Sequence, residues 1–296
     1  MSLKETIILP EGVNQENKAT KTYRERVRET EDRNYLPVII KRIDEAVRHP
    51  NDILEKAIHE GIEQHKRTNL SLMLSSLSAG LILGFAAMCV ALASQIYSDS
   101  FIMDRLMMAL VYPLGVIICI MSGTQLFTEH TATAVYPILD KKANMKSLLR
   151  LWAIVLGGNL LGTFLSSYLI ASSDTVIHAA AGFNEVSGHL LSFSFYEVVL
   201  SGVLAGWLMA QGGWLIHSSP TASGQIFCIY IVTFIIGLAG LHHSIAGSAE
   251  IFGSFFLAKD PQIIQGLSFI LAAVIGNLLG GSIFVAILNY AHIKRS

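Results

Sequence analysis

Charged side chains are scarce in this chain. They make up 15% of the 296 residues, whereas 52% of the residues are hydrophobic and the mean hydropathy is +0.52. So apolar a composition excludes an ordinary soluble domain and indicates a membrane protein. The formal net charge is −1, and no basic patch indicates binding to nucleic acid.

Cysteine is rare too, and its placement argues against two kinds of site. Cys89, Cys119 and Cys228 are odd in number, far apart and embedded in apolar runs. This pattern favours small core residues over a disulfide framework or a zinc site. A His-Glu-x-x-His motif and a nucleophile–base pair are also missing. The sequence therefore predicts no enzyme, no cofactor and no metal site.

The few charges are concentrated at the start of the chain. Residues 1–68 carry 13 of the 21 Lys and Arg residues and 13 of the 22 Asp and Glu residues. This head lacks the apolar core of a cleavable signal and is typical of a polar tail followed by amphipathic helices, at 38–48 and 52–67. We therefore predict a cytoplasmic head over 1–68 and a six-helix transmembrane channel domain over 69–296.

Six long apolar segments follow the head. They lie near 70–96, 105–139, 148–171, 194–217, 224–257 and 264–292. About 20 apolar residues suffice to cross the hydrocarbon core of a bilayer. The second and fifth segments exceed that length and carry polar residues in their middle. We predict that each of these two is a broken helix whose irregular backbone is buried inside the protein.

Lysine and arginine indicate the orientation in the membrane. The loop after the second segment holds Lys141, Lys142, Lys146 and Arg150, whereas residues 172–193 hold no Lys or Arg. Because basic loops tend to stay in the cytoplasm, we expect both termini there. The expected location is the inner (cytoplasmic) membrane of a bacterium.

A sequence repeat divides the membrane part into two halves. The pentapeptide Gly-Asn-Leu-Leu-Gly occurs at 158–162 and again at 276–280. Small-residue pairs that begin at Gly80 and Gly202 recur at nearly the same offset. An odd number of spans per half gives the two copies opposite orientation. The sequence thus predicts an all-α membrane protein with six transmembrane helices in two inverted three-helix repeats.

Two residues of the predicted breaks suit the binding of a small anion. His243 lies in the second break, where an imidazole can donate a hydrogen bond and exchange a proton near neutral pH. Thr128 offers a hydroxyl from the first break. If the two groups face each other, they would bind a small carboxylate or oxyanion. The alternative is that His243 only hydrogen-bonds the backbone of its loop. His242 is a second candidate, but adjacent side chains point in different directions.

Four further polar residues interrupt the apolar segments. Asn159 and Asn277 occupy matching places in the repeat and either brace the broken helices or line the path. Glu129 and Glu250 each follow a break, where the helix dipole favours a carboxylate, and we expect them to cap or brace the loops. A metal site built from these glutamates and the nearby histidines would lack a recognisable ligand pattern.

Taken together, these residues resemble a known family. Leu126-Phe127-Thr128 in the first break, His243-Ser244-Ile245-Ala246 in the second and Gly-Asn-x-x-Gly in the third and sixth segments look like the formate/nitrite transporter family. The resemblance covers about 70–293. The stretches Gln125-Leu126-Phe127-Thr128-Glu129 and Ser248-Ala249-Glu250 look closer to a less characterised branch than to the formate channels themselves.

The resemblance implies an aquaporin-like protomer that assembles as a homopentamer, in which each subunit has its own pore. It assigns the hydroxyl and the central imidazole of the pore to Thr128 and His243, and the asparagine of the sixth span to Asn277. The constriction positions that it implies are Tyr112, Val116, Leu126 and, on the outer side, Ile236.

Three departures from the family pattern bear on the substrate. His242 stands where formate channels carry Glu, and Gly206 stands where the fourth span carries a polar Asn. The lysine often found in the outer vestibule has no match in 172–193, where His189 is the nearest candidate. A less positive vestibule should weaken anion capture.

The interpretation that joins these observations is a channel or transporter for small monovalent anions of weak acids, such as formate or nitrite, that is proton-linked through His243. Its expected partners are a small monocarboxylate or inorganic anion, protons and the lipid bilayer. The alternatives are a pore for small neutral solutes and a membrane scaffold or signalling protein with a regulatory cytoplasmic head.

Overall fold

The computed structural model describes residues 49–96 and 101–295. The predicted polar tail and the predicted helix at 38–48 lie outside the described residues. In chain order, the α-helices are α1 (Pro50–Lys66), α2 (Asn69–Ser94), α3 (Phe101–Val111), α4 (Pro113–Met121), α5 (Phe127–Thr133), α6 (Tyr136–Leu139), α7 (Met145–Ser172), α8 (Asp174–Ile177), α9 (Ala180–Leu190), α10 (Phe195–Ser218), α11 (Ala222–Ala239), α12 (Ser244–Leu257), α13 (Ile263–Leu279) and α14 (Leu288–Arg295). A π-helical segment, Gly280–Ile287, joins α13 to α14.

Six helical stretches of the described chain are long and apolar enough to cross a membrane. They are Asn69–Ser94, Phe101–Met121, Met145–Ser172, Phe195–Ser218, Ala222–Ala239 and Ile263–Lys294. Their outward faces expose large apolar side chains, among them Leu169, Phe227 and Leu271. Such surfaces are unfavourable in water and suit lipid or a neighbouring subunit. The prediction of an all-helical integral membrane protein with six apolar spans is thereby confirmed.

Helix α1 packs against the membrane spans. It begins after His49, whose Nδ1 accepts a hydrogen bond from the Asn51 N–H at 3.3 Å, and Pro50 occupies its first turn. Its apolar residues Leu54 and Ile58 belong to the same buried cluster as residues of the spans. The ring of His65 is hydrogen-bonded on both nitrogens, at 2.8 Å to the Ser147 hydroxyl and at 2.8 Å to the Ala134 carbonyl. These contacts fix α1 to one end of the helical bundle.

Two helix pairs form the closest contacts of the bundle. Helix α2 packs along α7, and α10 packs along α13. In the first pair, a Cβ added to Gly162 would overlap the Leu77 carbonyl oxygen and lie 2.8 Å from the Cα of Gly80. Only a residue without a side chain permits this approach, as is common where membrane helices cross.

We expect Gly162→Ala to lower the free energy of unfolding by about 1–3 kcal/mol, because the added methyl group would force two backbones apart. Gly157→Ala is the matched control, since an added Cβ there meets no atom within 4 Å on the same helix. Thermal unfolding of the detergent-solubilised protein measures both. Equal shifts of the two unfolding temperatures would contradict the close packing of α2 and α7.

Candidate functional site

Two stretches of non-helical backbone interrupt the core of the bundle. The first follows α4, contains Gly123 with φ +67° and ends at Leu126, which is extended (φ −99°, ψ 126°) and precedes α5. The second follows α11, contains Gly240 with φ +63° and ends at His243, which is extended (φ −101°, ψ 124°) and precedes α12. Positive φ is favourable for glycine, so each stretch contains a residue that suits its backbone. We refer to residues 122–126 and 240–243 as the first and second breaks.

Asn159 of α7 ties the first break to its surroundings. Its Oδ1 accepts a hydrogen bond from the Phe127 N–H at 2.8 Å. Its Nδ2 donates to the Gln125 carbonyl at 2.9 Å and to the Ser76 carbonyl of α2 at 2.8 Å. The side chain is fully buried, and the whole hydrogen-bonding capacity of the amide nitrogen is used.

Asn277 of α13 makes the corresponding contacts at the second break. Its Oδ1 accepts from the Ser244 N–H at 2.7 Å. Its Nδ2 donates to the His242 carbonyl at 3.0 Å and to the Gly202 carbonyl of α10 at 2.9 Å. Each asparagine therefore supplies partners to an N–H and a carbonyl at a break, which no helix satisfies, and adds a second hydrogen bond to a carbonyl within α2 or α10. Of the two roles left open for these residues, their contacts match bracing.

Thr128 and His243 meet between the two breaks. The Thr128 hydroxyl oxygen lies 2.9 Å from His243 Nε2, and both residues are almost completely buried. His243 Nδ1 accepts a hydrogen bond from the Ala246 N–H at 3.1 Å. Because Nδ1 is an acceptor, the neutral ring carries its hydrogen on Nε2 and donates it to Thr128. The hydroxyl hydrogen of Thr128 is then available to another acceptor.

The four predicted constriction residues lie in the apolar core. Val116, Leu126 and Ile236 are fully buried, Tyr112 is nearly so, and all four belong to one hydrophobic cluster. With Thr128 and His243 also buried and in contact, the centre of the molecule is closed in this structure. An anion would have to lose most of its hydration there, which is costly.

His242 points away from Thr128. Its ring packs edge-on against Phe193, at a centroid distance of 5.1 Å, and against Phe269, at 5.4 Å. Both ring nitrogens are buried without a hydrogen-bond partner in the described part of the chain, while the backbone N–H donates to the Ser201 hydroxyl at 3.1 Å. The structure therefore does not bring His242 to the Thr128–His243 pair, and its role in the path stays a prediction.

The two glutamates lie apart from the bracing contacts. Glu129 lies in the first turn of α5 and lines a cavity of about 10 Å³ together with Ile120, Gly213 and Thr233. Glu250 is buried in the second turn of α12, within electrostatic range of Tyr112. Among residues 49–96 and 101–295, neither carboxylate makes a hydrogen bond to a break. Their predicted role, to cap or brace the loops, stays a prediction.

One pair of residues was not predicted from the sequence. His217, in the last turn of α10, places its Nε2 3.6 Å from Glu60 Oε2 of α1. Glu60 lies outside the four-residue apolar spacing of α1, and His217 lies in the last turn of a mainly apolar helix. The signal in the sequence was a histidine at the end of an apolar span, which does not by itself reveal a partner from another helix.

In the described ranges no group of three or more His, Cys, Asp and Glu side chains could hold a metal ion. What the arrangement offers is a hydroxyl and an imidazole, fixed by two asparagines within an apolar slot. These groups can donate hydrogen bonds to a small anion and move a proton.

Comparison with known proteins identifies relatives along most of the chain. Residues 51–291 match the family described as formate/nitrite transporter. Inner membrane protein YfdC of Escherichia coli (strain K12) is 30% identical over 247 residues, which cover 81% of this chain and 79% of YfdC. The uncharacterized transporter YrhG of Bacillus subtilis (strain 168) is 26% identical over 83% of this chain and 93% of its own length. A probable formate transporter of Methanothermobacter thermautotrophicus is 25% identical over 64% of this chain and 76% of its own length.

Solved structures share the fold. A structure described as an FNT family ion channel has a TM-score of 0.74 at 18% identity and covers 82% of this chain and 99% of that one. A pentameric formate channel with formate bound has a TM-score of 0.68 at 19% identity and covers 77% of this chain and 98% of that one.

Proposed function

The chain belongs to the formate/nitrite transporter family, and from that premise we propose that it carries small monovalent anions of weak acids across the membrane, linked to protons through His243. It is a transport protein rather than an enzyme. The observation that carries the proposal is the 2.9 Å contact between Thr128 and His243 at the closed centre of the bundle.

The architecture proposed for this function is a pair of inverted three-helix repeats with broken second and fifth helices, as in aquaporin-like folds. The matching hydrogen bonds of Asn159 and Asn277 support it, because the two amides contact equivalent backbone groups of the two breaks. An asparagine that braces each break would keep irregular backbone stable at the depth of the hydrocarbon. Asn159 and Asn277 then flank the substrate pathway.

The proposed mechanism uses the apolar slot to move a proton. Tyr112, Val116, Leu126 and Ile236 would form constrictions on the two sides of Thr128 and His243. Removing an anion from water raises the pKa of its conjugate acid, so a formate-sized anion would take up, near His243, a proton that enters from the same side of the membrane. The neutral acid then passes the constrictions. The Thr128 hydroxyl, which already accepts from His243, would donate its own hydrogen to the anion.

Assembly and orientation follow from the same premise. We propose a homopentamer, because one of the similar structures is a pentameric formate channel and the spans expose large apolar side chains.

Both termini would lie in the cytoplasm, since the basic loop at 141–150 follows the second span. Helix α1 then lies on the cytoplasmic side, and the relative YfdC, an inner membrane protein, supports a location in that membrane.

A pore for small neutral solutes is the second candidate. It is favoured by the absence of Lys and Arg from 172–193, by Gly206 and by His242, whose ring packs against the rings of Phe193 and Phe269. A vestibule with little positive charge gives less attraction to anions. Flux measurements separate the two candidates directly.

We expect purified protein in liposomes to carry formate, nitrite and other small weak-acid anions, with flux that rises as the pH falls. Glycerol and water flux should stay near that of protein-free liposomes. The reason is that acidification increases the fraction of anion that crosses as neutral acid. Equal flux of glycerol and formate at every pH would favour the neutral-solute pore, and no flux of any weak acid would contradict the proposal.

A further inference from the structure

His242 is a buried imidazole whose ring nitrogens have no partner. Only 3% of the residue is exposed, and neither Nδ1 nor Nε2 makes a hydrogen bond within residues 49–96 and 101–295. A neutral imidazole carries one N–H donor and one acceptor nitrogen, and leaving both unpaired inside a protein costs free energy. An apolar ring of similar size would avoid that cost. A ligand that pairs with the ring during part of the transport cycle explains why a histidine stands here.

The backbone of His242 is held on both sides. Its N–H donates to the Ser201 hydroxyl of α10 at 3.1 Å, and its carbonyl accepts from the Asn277 amide of α13 at 3.0 Å. These bonds fix the point from which the ring projects. Because consecutive Cα atoms lie about 3.8 Å apart, a ligand at His242 is one residue away from His243. The unpartnered imidazole therefore lies next to the central pair along the chain, although the two rings point in different directions.

Two phenyl rings pack against the imidazole of His242, and they differ in burial. Phe269 of α13, at a centroid distance of 5.4 Å, is itself buried. Phe193, at 5.1 Å, lies in the turn between α9 and α10 and is only partly buried. Phe193 also packs edge-on against the ring of His189, at 5.2 Å, and His189 is exposed to solvent. Phe193 thus contacts both the buried imidazole and a residue at the surface.

This surface lies at the end of the bundle opposite to α1. Helix α7 begins beside α1, where the His65 ring contacts the Ser147 hydroxyl, and α10 ends beside α1. Helix α7 has 28 residues and is therefore roughly 42 Å long. The segment that follows α7 and precedes α10 is at the far end of both helices. It contains α9, His189 and Phe193, and we refer to this end of the bundle as the α9 end.

We propose that His242 is a binding site for a small monovalent anion at the α9 end of the path, and that the Phe193 ring covers it. The inference rests on the proposed function and adds to it a site that an anion occupies before it reaches the Thr128–His243 pair. When the Phe193 ring rotates away, the N–H of His242 donates a hydrogen bond to the anion. A hydrogen bond to an ionised acceptor is stronger than one between neutral groups, so it offsets part of the lost hydration.

Modification with diethyl pyrocarbonate, which acylates neutral imidazole nitrogens, tests the cover and the site together. Peptide mass spectrometry of the full-length protein in liposomes measures the rate at each histidine. Phe193→Ala should raise the rate at His242 about tenfold or more over the wild type, because its ring nitrogens become accessible. Formate should slow this reaction, and glycerol at the same concentration should not. His59, about half exposed, and His130, almost completely buried, are the fast and slow references whose rates should not change.

His242→Phe tests whether transport uses the site. The phenyl ring can keep the packing against Phe193 and Phe269 but has no nitrogen, so the variant should unfold at the temperature of the wild type or above it. The formate concentration that half-saturates entry from the α9 end should rise about tenfold, whereas entry at saturating formate should stay within about twofold, because binding is lost rather than passage. Right-side-out and inside-out membrane vesicles separate the two directions of entry. His130→Phe is the control and should leave half-saturation unchanged.

Several results would overturn the site. An unreactive His242 in Phe193→Ala would show that Phe193 does not cover the ring. Equal protection by glycerol, no protection by formate, or unchanged half-saturation in His242→Phe would show that no anion binds there. If His242→Phe and His242→Gln both fail to assemble, the imidazole has a structural role and the site is rejected. Protection of His242 by formate without any weak-acid flux in the wild type would instead overturn the proposed function and leave the binding site.

Discussion

Asn277→Ala is expected to prevent stable assembly or to lower the free energy of unfolding by roughly 2–6 kcal/mol. Two buried backbone groups lose their partner at once, the Ser244 N–H and the His242 carbonyl, and the Gly202 carbonyl within α10 loses its second hydrogen bond. Each unsatisfied buried group costs about 1–3 kcal/mol, and water cannot replace the amide in a fully buried site. The yield of assembled protein and its thermal unfolding in detergent measure the loss.

Asn184→Ala is the control for this substitution. Asn184 is exposed, and its Oδ1 accepts only a long hydrogen bond of 3.4 Å from the Ser254 hydroxyl. Its replacement should change stability by about 0.5 kcal/mol or less. Asn159→Ala should behave like Asn277→Ala, because the two asparagines make matching contacts. A stable, fully active Asn277→Ala protein would contradict the bracing role.

The second large effect is expected for transport. His243→Phe should lower formate flux by about 100-fold or more and abolish its dependence on pH, since general acid–base groups contribute about that much. The phenyl ring approximates the imidazole in size but removes the Nε2 hydrogen bond to Thr128 and the Nδ1 acceptor of the Ala246 N–H. Proteoliposome flux measured at several pH values tests both parts of the prediction.

His130→Phe is the control that separates the loss of His243 from the loss of any buried imidazole. His130 is also almost completely buried, and neither of its ring nitrogens has a hydrogen-bond partner in the described part of the chain. Its replacement should leave the pH dependence of flux in place. If His243→Phe retained the pH profile of the wild type, the proposed role of His243 would be rejected.

Hydropathy and spacing identified the spans because a membrane helix carries its signal within one continuous segment. The apolar stretches predicted near 70–96 and 148–171 correspond to α2 (Asn69–Ser94) and α7 (Met145–Ser172). The end of the chain was less predictable. The predicted span at 264–292 contains the π-helical segment Gly280–Ile287, for which hydropathy carries no signal.

The candidate site was predictable to the extent that its residues were polar in apolar surroundings. Thr128, His243, Asn159 and Asn277 stood out for that reason, and the structure brings Thr128 and His243 within 2.9 Å of each other. The carbonyl partners of the asparagines were not predictable, because any residue supplies a carbonyl. The contact between Glu60 and His217 also escaped prediction, since it joins helices that are far apart in the sequence.

The central claim is that a weak-acid anion and a proton cross together at the Thr128–His243 pair. In its most direct test, liposomes that contain the protein are loaded with a pH indicator. A formate gradient is then imposed at several membrane potentials. The account predicts acidification inside the liposomes that accompanies formate entry, is insensitive to membrane potential and disappears in His243→Phe. Formate entry that carries electrical current and leaves the internal pH unchanged would contradict it.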